Sequence, residues 1–229
     1  MSTLKMLDKL FDNSVDELED IAYMIDLYGK KFGVNTPLRV AHFLAQVREE
    51  IGPRLRPRSE NLNYTPEALR KTFKYFRTHP KLSEKLGRKG GQSADQDAIA
   101  SYAYANRLGN GYADTNNDGF VDELDDGWKY RGKFLLQITG KANYSAVQIR
   151  IDRYLPNSGI NILENDYAND IKVHIIASMA FWIWHDIYRK ADGGTSDADI
   201  NNVTRVINRY THSYSARRRH FRMIEDFIV

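Results

Sequence analysis

Helix-start signals recur along the chain, and most are followed by apolar residues at three- and four-residue spacing. Ser14-Val15-Asp16-Glu17 is a capping box, in which the Ser and Glu side chains satisfy each other's free backbone N–H groups. Leu18, Ile21, Ala22 and Ile25 then share one helical face. Thr36-Pro37 sets an N-cap before a proline at the first helical position, ahead of a stripe of Val40, Phe43, Leu44 and Val47. That helix is predicted to stop near Gly52-Pro53. Thr65-Pro66-Glu67 opens another, with Leu69, Phe73 and Phe76 inside. Ser93-Ala94-Asp95-Gln96 reads as a second capping box, leading a helix to about Asn106. Further helices are expected over 142–153, 170–188, 197–209 and 214–227. Residues 106–127, rich in Gly, Asn and Asp, read as a loop, and 130–139 leave room for a short strand. The predicted fold class is all-α, mainly helical with at most a very small β element.

The length of 229 residues fits one large domain. No fixed-period repeat and no Pro/Ser/Gly linker divides it, so a single domain over 1–229 is expected. The absence of cysteine excludes a disulfide framework and any thiolate metal site. The longest apolar run, 175–184, falls short of the ~20 residues that span a bilayer. The first twelve residues mix charge with leucine and lack the apolar core of a signal peptide. A net charge of +3 favours an anionic polymer without selecting one.

Two carboxylates, Glu49 and Glu50, fall at the last turn of the helix that starts at Pro37. A helix C-terminus and partial burial both disfavour a charged carboxylate, which suits a general acid. Phe43 and Val47 lie seven and three residues before Glu50, so Glu50 shares their inward face. Glu49 is turned about 100° away. Glu60 follows across a loop, and an inverting glycosidase needs a second carboxylate roughly 6.5–9.5 Å from its acid. The same Glu pair also fits a solvated helix end.

Several blocks, in one order over roughly residues 40–145, resemble glycoside hydrolase family 19 in its bacteriophage-endolysin branch, which is related to plant chitinases. Phe43-Leu44-Ala45-Gln46-Val47-Arg48-Glu49-Glu50-Ile51-Gly52 is similar to the family's F-L-A-Q-x-x-H-E-S-G. Glu60-Asn61-Leu62-Asn63-Tyr64 matches E-N-L-N-Y, and Ala105-Asn106-Arg107-Leu108-Gly109-Asn110-Gly111 matches A-N-R-x-G-N-G. Asp126-Gly127-Trp128-Lys129-Tyr130-Arg131-Gly132, with Gln137-Ile138-Thr139-Gly140 after it, resembles D-G-W-x-Y-R-G-R-G-L-I-Q-L-T-G. Glu49 stands where the family has His, Ile51 where it has Ser, Pro53 where it has Gly, and one glycine of R-G-R-G is missing.

The resemblance implies a lysozyme-like helical fold and an inverting mechanism. It implies Glu50 as general acid, Glu60 as second carboxylate, Thr139 holding the attacking water, and Tyr64, Gln137, Asn143 and Asn208 binding sugar. It points to a monomeric phage endolysin of muramidase type that hydrolyses the β-1,4 bonds of peptidoglycan glycan strands. It would be made in the host cytoplasm and released to the periplasmic wall through holin-type pores. No nucleic acid partner and no separate cell-wall-binding domain are expected. The alternatives are a chitinase on the same fold and a wall-binding helical domain with a decayed site.

Asp114-Thr115-Asn116-Asn117-Asp118-Gly119-Phe120-Val121-Asp122-Glu123-Leu124-Asp125 has the spacing of a calcium loop. Asp114, Asn116, Asp118, the Phe120 carbonyl, Asp122 and Asp125 are the expected Ca2+ ligands, and Gly119 permits the sharp turn. The loop, 114–125, reads as an insertion between two family blocks. Trp128, on the loop side, is a candidate for stacking on sugar, whereas Trp182 reads as core. Arg217-Arg218-Arg219 with Arg222 is a basic run that fits either an anionic wall polymer or a solvated helix face.

Overall fold

The computed structural model describes residues 2–111 and 126–228. Residues 114–125, on which the calcium expectation falls, lie outside the described residues. The chain is all-α, with thirteen α-helices and one 3-10 turn among the described residues. The described residues divide into two compact units, and the chain passes between them four times.

The larger unit takes in the described residues of Met1–Arg58, Phe134–Gln137 and Ala146–Val229. Its helices include α1 (Ser2–Leu10), α2 (Val15–Phe32), α3 (Pro37–Ile51), α10 (Ile171–Trp184), α11 (Ile187–Ala191), α12 (Asp197–Asn208) and α13 (Tyr214–Arg222). The capping box at Ser14 makes both of its hydrogen bonds, and Thr36 caps α3 as its sequence predicts. The packing exceeds the stripe. α3 touches α1, α11, α12 and α13, and every residue from Val40 to Val47 is buried. That includes His42 and Gln46, each fully buried. Buried polar groups are costly without partners, and each of these side chains finds at least one inside the unit. His42 Nε2 lies 2.9 Å from the Gly194 carbonyl oxygen, and Gln46 Nε2 donates to Thr204 Oγ1 at 3.2 Å.

The smaller unit takes in the described residues of Ser59–Lys133 and Ile138–Ser145. It holds α4 (Pro66–Thr72), α5 (Lys74–Thr78), α6 (Pro80–Leu86), α7 (Gln96–Tyr104) and α8 (Asp126–Lys129). Leu62, Leu69, Phe73, Phe76, Leu86 and Ile99 form its core. Each Leu or Phe so buried contributes about 1.5–3 kcal/mol. α8 packs on α7 through Gly127, where a Cβ would fall 2.5 Å from the Ala100 carbonyl oxygen. α9 (Lys141–Tyr154) begins in this unit and ends in the larger one.

The structure shifts several predicted boundaries. Asp95, not Ser93, caps α7, its side chain accepting from Ala98 N at 3.1 Å. The expected helix over 170–188 breaks at Asp186, which takes a left-handed φ of 51° that Asp tolerates better than most residues. The helix expected over 214–227 ends at Arg222 and is followed by a 3-10 turn. The expected short strand near 130–139 is a single antiparallel bridge, Lys133 with Ile138. At its tip Leu135 N donates to Ser178 Oγ at 2.9 Å, a tertiary bond in place of a second ladder rung. An unpredicted helix, α1, precedes the first capping box.

Candidate active site

The last turn of α3 carries Glu50 with its side chain 14% exposed. Its Oε1 accepts from Arg217 Nη2 at 2.6 Å. Arg217 rises from α13, is 2% exposed, and also donates to Gln46 Oε1 at 2.8 Å. Gln46 Oε1 further accepts from Thr204 Oγ1 at 3.4 Å. α3, α12 and α13 thus converge on one polar network inside an apolar unit. The expectation for Glu50 rested on the helix end and burial alone; the structure adds a direct contact with a guanidinium, which acts on a carboxyl group in the opposite sense to those two effects.

Arg217 is the residue that sequence reasoning missed. It sits in a basic run that suggested a surface face. The signal that finds it is its place four residues before Phe221, on the buried side of α13. Arg218 and Arg222 are tied to Asp197, and Arg222 also to Glu225. Glu49 turns to His220, whose Nε2 lies 3.1 Å from Glu49 Oε2. Burial pushes the His220 imidazole below its usual range, against the pull of Glu49 in the other direction.

Glu60 belongs to the smaller unit, and its position is fixed by three bonds. Its N–H donates to the Gly132 carbonyl at 2.7 Å, while Gly132 N–H returns a bond to Oε2 at 3.3 Å. Tyr104 Oη donates to Oε1 at 2.6 Å. Burial first, and then the charge of Glu60, push the Tyr104 phenol well above its usual range, so it remains a donor at any physiological pH. Tyr64 is pushed up by the same two causes in the same order.

These bonds tie the sequence blocks of the smaller unit to one another. The R-G block clamps the E-N-L-N-Y block at Gly132 and Glu60. The A-N-R-x-G-N-G block begins one residue after Tyr104 and returns to it: Asn110 Nδ2 donates to the Tyr104 carbonyl at 3.1 Å. Asn110 Oδ1 accepts from Lys141 N at 2.8 Å, at the start of α9. Gly109, at φ 81°, lets the loop approach Ala142, where a Cβ would come within 2.9 Å of Cβ.

The other candidate residues divide between the units. Thr139 and Asn143 lie together in the smaller one, the Asn143 amide donating to the Thr139 carbonyl at 2.8 Å. Tyr64 packs edge-on against Phe73, ring centroids 5.5 Å apart. Trp128 carries the Arg131 guanidinium over its ring at 3.6 Å, so one face is already covered. In the larger unit Gln137 takes a left-handed φ of 49° and its amide donates to the Phe134 carbonyl at 3.3 Å. Asn208 ends α12 with an exposed side chain. Trp182 is fully buried and meets Phe43 edge-on at 5.7 Å. The six calcium candidates, Asp114, Asn116, Asp118, Phe120, Asp122 and Asp125, lie outside the described residues.

No family model matches the chain. A curated protein of Haemophilus influenzae, named glycosyl hydrolase family 19 domain-containing protein, is 31% identical over 202 residues, covering 88% of this chain and 83% of the relative. The chain belongs to glycosyl hydrolase family 19. At that length the match takes in residues of both units. This family 19 protein is a glycoside hydrolase. Among its described residues no helix is long and apolar enough to cross a membrane.

Proposed function

We propose that the protein is an endolysin-type muramidase that hydrolyses β-1,4 bonds of peptidoglycan with inversion. Family membership supports glycosidic hydrolysis. The assignment of roles follows the sequence blocks that carry the two glutamates, and the observation that supports it is that each carboxylate is held in a fixed direction by its own partners. Glu60 accepts from Tyr104 and Gly132, which fixes the direction of its carboxylate. Glu50 accepts from Arg217, which fixes its carboxylate at the end of α3.

Glu50 protonates the leaving glycosidic oxygen, and the negative charge left on its carboxylate appears beside the Arg217 guanidinium. Glu60 takes a proton from a water, which attacks the anomeric carbon from the opposite face. Thr139 orients that water, with Gln137, Asn143, Tyr64, Trp128 and Asn208 along the glycan. Release to the wall through a holin-type pore and action as a monomer complete the reading.

Reducing-end analysis of products from purified murein and from chitin oligomers tests it. New muramic acid reducing ends support the proposal. Cleavage of chitin oligomers alone would replace it with a chitinase.

A further inference from the structure

Between the two glutamates runs Gly52-Pro53-Arg54-Leu55-Arg56-Pro57-Arg58-Ser59, with arginine at every second position and no acidic residue. Burial alternates with it. Leu55 is 2% exposed, whereas Arg54, Arg56 and Arg58 are exposed. The backbone is pinned. Asn13 Oδ1 accepts from Leu55 N at 2.8 Å, Arg56 N donates to the Arg54 carbonyl at 3.0 Å, and Gln137 Nε2 reaches the Arg58 carbonyl at 3.5 Å.

Several arginines of the larger unit are held by a neighbouring carboxyl group: Arg39 by Asp192, Arg217 by Glu50, Arg218 and Arg222 by Asp197. Arg54, Arg56 and Arg58 form no ion pair among the described residues, and Glu17 feels Arg56 only through space. Three guanidinium forks are therefore held out from a fixed segment. Guanidinium binds planar carboxylates in a two-pronged manner, and a fixed backbone lowers the entropy lost on binding.

We propose that Arg54, Arg56 and Arg58 form a strip that binds the stem-peptide carboxylates of peptidoglycan and so favours peptide-bearing murein over a neutral glycan. The inference rests on the reading of the protein as a murein hydrolase. The strip sits in sequence between the proposed acid and the proposed base, and the anions that peptidoglycan carries are carboxylates on the peptides of alternate sugars.

The test compares the wild type, the triple Arg54→Gln/Arg56→Gln/Arg58→Gln variant and the matching triple Lys variant. The substrates are purified murein and the same murein with its carboxyl groups amidated by carbodiimide and ammonia. On untreated murein at low salt the Gln variant is to lose roughly tenfold in kcat/KM, through KM with kcat kept. The Lys variant recovers part of the loss. Amidation slows the wild type by a similar factor and closes the gap between the proteins. Raising the ionic strength from roughly 0.01 to 0.15 M also shrinks it. Equal kcat/KM for wild type and Gln variant on untreated murein overturns the strip, as does a gap that persists after amidation. Should the Gln variant fold poorly, the amidation of murein with wild-type enzyme still decides. A wild type unable to cleave murein at all, or a Glu50→Gln protein as active as wild type, defeats the underlying reading instead.

Discussion

The Arg217 guanidinium lies 2.6 Å from Glu50 and 2.8 Å from Gln46, almost wholly out of solvent. It ties the end of α3, where the proposed acid sits, to α13, more than a hundred and fifty residues along the chain. Arg217→Ala leaves Glu50 and Gln46 without this partner in a buried setting. The expected cost is about 3–5 kcal/mol, read as a lowered denaturant midpoint. Arg217→Lys keeps the charge but can reach only one of the two acceptors well. It is expected to fold with an intermediate midpoint and to lose more in kcat than in KM.

Tyr104→Phe removes the hydroxyl that donates to Glu60 and keeps the ring that packs against Phe73 at 6.1 Å. Glu60 then keeps its Gly132 bond alone and is held less firmly. Steady-state kinetics are expected to show a drop of about tenfold in kcat with KM nearly unchanged. Unchanged kcat would remove Tyr104 from the account.

Gly140 follows Thr139 at φ 92°, and a Cβ there would come within 2.3 Å of the Leu108 Cβ. Gly140→Ala adds both a strained backbone and a clash. Thermal unfolding is expected to report a loss of about 2–4 kcal/mol. Gly52→Ala, with nothing near its Cβ position but a φ of 84°, should lose less, which separates the clash from the backbone term.

Acid should destabilise the fold through its buried histidines. Burial is the leading cause that holds His42, His185 and His220 below the usual imidazole range. The unfolded chain therefore binds protons first as pH falls below about 6.5, so stability is full above that value and is lost on going lower. The melting temperature is expected to fall between about pH 7 and pH 5, and His42→Gln, which removes one such group, should flatten that slope. A slope unchanged in His42→Gln would place the acid sensitivity elsewhere.

The acidic loop at 114–125 is expected to bind Ca2+. Adding a chelator should lower the melting temperature and slow murein cleavage, with calcium restoring both. No change in either would remove the metal from the account.

The helices were legible because their start signals are local. Ser14, Thr36 and Thr65 all cap the helices that their sequence context announces. What escaped was set by tertiary contact. The break at Asp186 has no proline or glycine to mark it, and the 130–139 segment spends its backbone donors on Ser178 and on turns instead of a strand. The inward turn of Glu50 followed from the α3 stripe. Its partner did not, because one buried arginine inside a run of exposed ones differs from them only in helical phase. Glu60 stands out in the sequence only as part of its block, and its partners Tyr104 and Gly132 reach it from 44 and 72 residues away.

The most direct test is to measure murein cleavage by Glu50→Gln and Glu60→Gln while following the anomeric configuration of the first product by NMR. Each variant is expected to fall by at least about a thousandfold while the wild type releases the inverted anomer first. Either variant cleaving murein at close to the wild-type rate, or a wild-type product with retained configuration, would contradict the proposed mechanism.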